Sequence, residues 1–558
     1  MSRPIRITQD MTDAYVASGF WERATMVDHF ERCARERPQK ESVVDGRTRL
    51  TWLEVKRRSD RIALGFLKLG VKRDEVIAAQ LPNWVDNFVL WLALSKAGIL
   101  GSYPAATYRE AEMEQALRGL GAVGAVVPLG YGSFDYLGMI EAIRGRLPDL
   151  RWVFMVGDGG GDSGGDGTIS LNDMMSRPLE KEFPEDYLEG TKFSAFEVSS
   201  IQLTSGSTGA PKMCEWVEAM FRLSGEGVFE PMGLGEDDVL GMFAPLAGGP
   251  GSSAWTCAPQ LGAKVVMLER FDAEEALKLI EKEGITYITT VPALLVRMAG
   301  CPDIAKYDLS SLRAVRCGAA ALAPSVAQEM EEKLDCRIVP GSGAMDCMAF
   351  TQARFEDPAS VRHGTAGRPF LGNEIKMVDE AGREVAGGEI GEMWVRGACT
   401  GSGYYRNEEA TVAAWGELGE SGWYRTGDLA RFDGQGNVIF SGRKKDMIIR
   451  GGQNIYPQEV EAVLLGHPKV REVAIVGMPD RVMGEKACAF VITGPDQVFS
   501  FEEMGEFLKG KRMASFKIPE RLEIRERFPV LVDGQKVDKK LLAREIAVEM
   551  EIEAGDGL

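Results

Sequence analysis

Apolar residues in LTWLEVKRRSDRIALGFLKLG, residues 50–70, recur every three or four positions. That spacing gathers them on one face of a helix. DEVIAAQLP follows with its apolar residues clustered rather than alternating, as in a short strand buried on both faces. The couplet recurs in AEEALKLIEKEG before ITYITTVP and in APSVAQEMEEKL before CRIVPG. Repeated helix–strand units with short glycine-bearing connections predict an α/β fold of mainly parallel sheets. WVDNFVLWLALSKAGILGSYPAA, residues 84–106, is the most apolar stretch, yet it carries Asp86 and Lys96 and breaks at glycines. It is too short to span a bilayer and reads as a buried helix followed by a strand.

Past about residue 385 the pattern changes. GEIGEMWVRG and GNVIFSGR read as strands between glycine turns, which predicts a small antiparallel region. PQEVEAVLLGHPKVREVAIVGMP then gives a helix and a strand, KACAFVITG another strand, and FSFEEMGEFLKGKR a helix. This tail makes a compact α+β unit, with the boundary near residues 443–446. The expected division is 1–443 and 444–558, since 558 residues exceed what one core serves. GDGGGDSGGDG, residues 157–167, cannot contribute to a core, and its acidic side chains argue against a phosphate site, leaving a surface loop.

A net charge of −18 argues against nucleic acid as a partner, because phosphate backbones reward positive surfaces. It leaves anionic small molecules open, since these respond to a local field. Nine cysteines and three histidines show no metal-ligand or disulfide spacing, which fits a reducing cytoplasm. MSRPIRITQDMTDAYV has no apolar segment of the kind that directs secretion.

LTSGSTGAPK, residues 203–212, supplies hydroxyls and unhindered backbone N–H groups and ends in a lysine. Such a run can cradle oxyanions, though taken alone it also suits a plain surface loop. It is not the Walker loop, because Ala210 and Pro211 stand before Lys212 and Met213 after it. Three further runs follow in order: YRTGDLARFDGQGN (424–437), GRKKDMIIRGGQNIYPQEVE (442–461) and FPVLVDGQKVDKKLL (528–542). Together the four resemble the motifs of the adenylate-forming (ANL) superfamily of acyl-CoA synthetases, peptide-synthetase adenylation domains and luciferases. The resemblance runs over nearly the whole chain.

The resemblance implies a large N-terminal domain of layered, mainly parallel sheets and a small, mobile α+β C-terminal domain. The implied reaction joins ATP to a carboxylic acid as an acyl-adenylate, with Mg²⁺, and then passes the acyl group to coenzyme A. It carries the phosphate loop onto Thr204, Ser205, Gly206, Ser207, Thr208, Gly209 and Lys212. Asp428 and Arg443 fall on the ribose-binding positions, and an ionised carboxylate offers two acceptors to ribose hydroxyls. Gly318, Ala319 and Ala320 match the small-residue strand end beside adenine. Lys536 matches the lysine that serves adenylation, although Gln535 intrudes between it and Gly534. Lys445 matches the hinge, and Gly451 and Gly452 the passage for the pantetheine arm.

Several positions depart from the family pattern. SGAMDC, residues 342–347, replaces an aromatic-Gly-x-Thr-Glu segment, so Gly343, Ala344, Met345 and Asp346 line the nucleotide, with Asp346 as the Mg²⁺-associated carboxylate. The aromatic that stacks on adenine is missing there, and Tyr404 or Tyr405 is the expected substitute. APLAGGPGSSAWTCA, residues 244–258, lacks the usual histidine. Gly248, Gly249 and Gly251 leave room for a bulky or ring-shaped acid with Trp255 as a wall, or else form a tight loop that binds nothing. DAYVASGFWERATMVDHFERCARERP resembles the branch that activates aromatic and alicyclic acids, and GGQNIYP resembles the coenzyme A ligases. The alternatives are an aryl-acid adenylating enzyme that loads a carrier protein and a degenerate nucleotide-binding scaffold or sensor. Neither the identity of the acid nor the oligomeric state is written in these motifs.

Overall fold

The computed structural model describes residues 3–157, 168–204, 211–246, 248–319, 322–419, 422–451, 453–480, 482–530 and 537–555. A seven-stranded sheet runs in the order Thr168–Ser170, Trp152–Gly157, Gly124–Leu129, Val76–Ala79, Leu100–Ser102, Val198–Leu203 and Met213–Val217. All neighbours in it are parallel except the last pair. A nine-stranded sheet has a parallel centre, which includes Ala314–Cys317 and Arg337–Ser342, and antiparallel edges.

The helix–strand couplets fold as the periodicity predicts. The helix Trp52–Lys68 starts at Thr51, whose side chain accepts from Glu54 N while Thr51 N donates to the Glu54 carboxylate. The apolar run at residues 84–106 forms the helix Val85–Ala97 and the strand Leu100–Ser102, both buried. Its Lys96 is 2% exposed and tolerated there because Glu31 and Asp60 lie 2.6 Å and 2.5 Å from Nζ. One hydrophobic core joins both large sheets through this helix and its neighbours. Among the described residues, no helix is long and apolar enough to cross a membrane.

The antiparallel region is a four-stranded sheet that begins at Asn373, earlier than the change of pattern near residue 385 suggests. NEIKMV hides its strand because only Met377 and Val378 are buried in the core, while Glu374 is exposed and Asn373 is held by Ala349 O and Cys399 N. A separate five-stranded sheet contains Ile448–Arg450, Gln453–Ile455, Val470–Asp480, Gly484–Thr493 and Arg521–Ile524. Helices Pro457–Leu464 and Phe501–Gly510 cover one face of it through Val460, Leu464, Met504 and Leu508. Helix Lys539–Gly555 covers the other through Leu542 and Ile546. The fold is therefore mixed α/β, a large N-terminal domain of mainly parallel sheets with an antiparallel sheet, followed by a small α+β C-terminal domain.

Candidate active site

The paired strands Val198–Leu203 and Met213–Val217 bring the ends of the Ser/Thr/Gly run together. Thr204 N donates to Lys212 O at 3.0 Å, and Lys212 N donates to Thr204 Oγ1 at 3.0 Å. Ser205, Gly206, Ser207, Thr208 and Gly209 lie outside the described residues. Lys212 Nζ donates to the Tyr404 hydroxyl at 2.9 Å, and that hydroxyl donates in turn to Asp346 Oδ2. The Lys212–Asp346 separation is 3.6 Å.

Tyr404 reaches this point because its segment pairs with the strand leaving the loop. Cys214 and Tyr404 form an isolated bridge, and Tyr405 N donates to Met213 O at 2.7 Å. Burial and the neighbouring Asp346 carboxylate push the Tyr404 phenol far up, so it stays protonated and donates. Asp346 is fixed from two sides. Trp216 Nε1 holds the carbonyl of Met345 at 2.9 Å, and Gly401 lies so close that a Cβ on it would fall 2.0 Å from Asp346 O. Behind this group, buried Glu215 accepts from Ile5 N at 2.8 Å. Burial pushes the Glu215 carboxyl up to about 7, against the pull of that backbone donor. Arg6, next in sequence to Ile5, is bonded to Gly401 O at 2.7 Å and to Thr400 Oγ1 at 3.3 Å.

Asp428 and Arg443 face one another in register on the antiparallel strands Tyr424–Phe432 and Val438–Arg443. Arg443 Nε lies 2.7 Å from Asp428 Oδ1. On the opposite wall, a Cβ at Gly318 would meet Gly341 O at 2.6 Å, so the two strand ends approach as only glycine permits. Ala319 takes a left-handed φ of +69°, strained for a residue with a Cβ. Ala320 lies outside the described residues. At Gly343 a Cβ would fall 2.0 Å from Met348 O.

These groups open on one cleft of about 2220 Å³, lined by Thr204, Lys212, Gly318, Ala319, Gly343, Ala344, Met345, Asp346, Asp428, Arg443 and Lys445. Its described lining carries twelve Lys and Arg against nine Asp and Glu, a local excess of positive charge in an acidic chain. Such a field suits a polyanion. Neither Tyr404 nor Tyr405 lines the cleft, which corrects the expectation that one of them replaces the missing aromatic. Tyr404 is 2% exposed with its hydroxyl committed. The rings that do line the cleft near residue 342 are Phe350 and Tyr424, stacked with centroids 6.1 Å apart. Ser342 itself shares a 2.6 Å hydrogen bond with Thr351.

Residues 249–261 form the helix Gly249–Leu261 rather than the loop their Gly/Pro content suggests. Gly248 and Gly249 line the cleft. Gly251 packs so closely on the preceding turn that a Cβ would fall 2.1 Å from Pro245 O, so it serves a backbone approach and not an open pocket. Trp255 lines a small cavity of about 10 Å³ adjoining the cleft, with Trp91, Tyr103 and Trp216. Gly451 sits in the turn between Ile448–Arg450 and Gln453–Ile455, away from the cleft, donating to Met483 O at 2.7 Å. Gly452 and Lys536 lie outside the described residues, while Val537, Lys539 and Lys540 line the cleft. Among the described residues, no three His, Cys, Asp or Glu side chains gather as a metal cage. A lone carboxylate such as Asp346 nonetheless fits Mg²⁺, which takes one or two carboxylates together with substrate phosphates and waters.

The AMP-binding enzyme model matches residues 30–405, and the AMP-binding enzyme C-terminal domain model matches residues 459–532. The 2,3-dihydroxybenzoate-AMP ligase of Bacillus subtilis is 29% identical, covering 97% of this chain and 97% of its own. The 2-hydroxy-7-methoxy-5-methyl-1-naphthoate–CoA ligase of Streptomyces carzinostaticus is 32% identical, covering 96% of this chain and 95% of its own. The crystal structure of the anthranilate CoA ligase AuaEII with anthranoyl-AMP superposes with a TM-score of 0.85 at 25% identity, covering 96% of this chain and 99% of the other.

Proposed function

The chain belongs to the AMP-binding enzyme family, and from that premise we propose that it is an AMP-forming carboxylic acid–CoA ligase of the cytoplasm. The acid carboxylate attacks the α-phosphate of ATP and expels pyrophosphate; the coenzyme A thiol then attacks the acyl-adenylate and expels AMP. The observation that carries this reading is that Lys212, Asp346 and the Asp428–Arg443 pair border one locally positive cleft.

Two anions must meet in the first step, and fixed cations offset their repulsion. Lys212 and the loop from Thr204 to Gly209 hold the phosphates, and Lys536 brings the second ammonium to the transferring phosphoryl group. Asp428 holds the ribose hydroxyls, with Arg443 beside it. Gly318 to Ala320 and Gly343 to Met345 form the walls around the nucleotide. Asp346 is the residue that would hold Mg²⁺, which when bound would neutralise phosphate charge. The large domain spans 1–443 and the small one 444–558, with Lys445 at the hinge between adenylating and thiol-accepting arrangements. Gly451 and Gly452 let the pantetheine arm pass in the second arrangement.

A hydrophobic acid, aromatic or alicyclic, is supported by Gly248 and Gly249 in the cleft lining and by relatives named for aryl acids. The relative named only as an AMP ligase favours a second reading, in which the acyl group goes to a carrier protein. Pyrophosphate release and thioester formation, measured on a panel of acids with coenzyme A or a phosphopantetheinyl carrier protein, separate the two. Thioester on free coenzyme A supports the first reading; thioester on the carrier protein alone overturns it in favour of the second.

A further inference from the structure

We propose that the floor of the acid pocket is a receptor for a second carboxylate, held by Arg316, so that the preferred substrate is an aromatic or alicyclic dicarboxylic acid activated at one end. The inference rests on the ligase reading and names the substrate class within it.

Arg316 stands on the central parallel strand Ala314–Cys317, in register with Thr289 and Val339. It is 8% exposed, and the exposed part lines the cleft together with Ser224, Val228, Gly341 and Phe370. Its Nε donates to Gln352 Oε1 at 2.7 Å. Gln352 is in turn held by its own Nε2 bond to Ala353 O at 2.9 Å. That amide aims the guanidinium without neutralising it. Gly341 is needed for this packing, because a Cβ there would fall 2.6 Å from Arg316 Nη2 and from Gln352 Oε1.

Among the described residues, no carboxylate lies within 4.0 Å of the Arg316 guanidinium, and its η nitrogens make no protein hydrogen bond. Other buried arginines are provided for. Arg222 pairs with Glu226 at 2.6 Å and Arg362 with Glu331 at 2.8 Å. Arg6 has no carboxylate but spends Nη2 on Gly401 O and lies over the Trp415 ring. A buried cation without a counter-charge is costly, and an anionic ligand offsets the cost. The two free η nitrogens form a planar fork that matches a carboxylate with two parallel hydrogen bonds. The carboxyl that is activated has to meet the phosphate beside Lys212 and Asp346, neither of which touches Arg316; the group that Arg316 holds is therefore the other one.

The test uses the full chain with ATP and coenzyme A, following pyrophosphate release. Benzene-1,3- and 1,4-dicarboxylate and cyclohexane-1,4-dicarboxylate are each compared with their monomethyl esters, with benzoate and cyclohexanecarboxylate as simple acids. Diacid is expected to exceed monoester by about 100-fold in kcat/KM for at least one pair, chiefly through KM, because a site built for a polar group rejects analogues that lack it. Arg316→Met should bring that ratio near one, and Arg316→Lys should keep part of it, with thermal unfolding confirming both folds. Where Arg316→Met does not fold, the ratio in the unaltered protein decides. Equal turnover of diacids and monoesters by that protein overturns the inference while leaving the ligase reading intact. Equal losses on both in Arg316→Met overturn it too, since the guanidinium then serves the reacting carboxyl or the fold. Absence of pyrophosphate with every acid defeats the ligase reading, and the inference with it.

Discussion

The Lys212 ammonium stands 3.6 Å from the Asp346 carboxylate, and the Tyr404 hydroxyl bridges them, accepting from the first and donating to the second. A closer ion pair would cancel both charges against each other. A neutral bridge leaves the ammonium with N–H bonds to spare for phosphate and the carboxylate with an oxygen to spare for a hydrated cation.

Removing the bridge should weaken nucleotide handling without unfolding the protein. Tyr404→Phe keeps the ring in its packing and deletes two hydrogen bonds to charged groups, a loss worth about 10-fold or more. The expected result is a rise of about that size in KM for MgATP, with little change in KM for the acid. Steady-state pyrophosphate release at varied MgATP reads it directly, and an unchanged KM would show the hydroxyl to be mere packing.

In the proposed reading, Asp428, paired with Arg443, offers the ribose an acceptor that Arg443 alone cannot supply. Asp428→Asn removes the charge, leaves Arg443 without its ion pair, and should lower ATP affinity by about 10- to 100-fold. Calorimetric titration with a non-hydrolysable ATP analogue measures this, and retention of full affinity would move the ribose elsewhere.

Lys536 is assigned to the first half-reaction alone. Lys536→Ala should reduce acyl-adenylate formation by about a thousandfold, while thioester formation from synthetic acyl-adenylate persists. Loss of both half-reactions to the same degree, or of neither, contradicts the assignment.

Glu215 ties stability to pH. Its folded value of about 7 lies above the ordinary carboxylate range, so the folded protein keeps a proton that the unfolded chain releases. The stabilisation is complete below the unfolded value near 4.5 and is lost as pH rises toward 7. The span amounts to about 3 kcal/mol. Glu215→Gln keeps an acceptor for Ile5 N and cannot ionise, so its stability relative to wild type should improve between pH 5 and pH 8. Urea unfolding at the two pH values gives the comparison; equal differences at both would place the Glu215 titration outside this range.

The helix–strand couplets were legible because a parallel sheet buries its strands on both faces and leaves a continuous apolar signature, as at Val76–Ala79. Glycine and proline misled at 249–261, where packing against the helix Glu218–Met232 outweighs weak helix propensity. Lys212, the lysine proposed to hold phosphate, announces itself by local spacing. Its bridge to Tyr404 does not, since 192 residues separate the two and only strand pairing joins them. Arg316 was equally silent: nothing local in AVRC marks it, and its burial follows from the order of strands.

Ile5 and Arg6 lie ahead of residue 30, where the AMP-binding enzyme model begins to match, yet Arg6 braces the segment just before Tyr404 and Ile5 N holds the carboxyl of Glu215. A polypeptide shortened to begin at residue 30 would take the Ile5 donor from that carboxyl, open it to water and free residues 400–402 from their anchor.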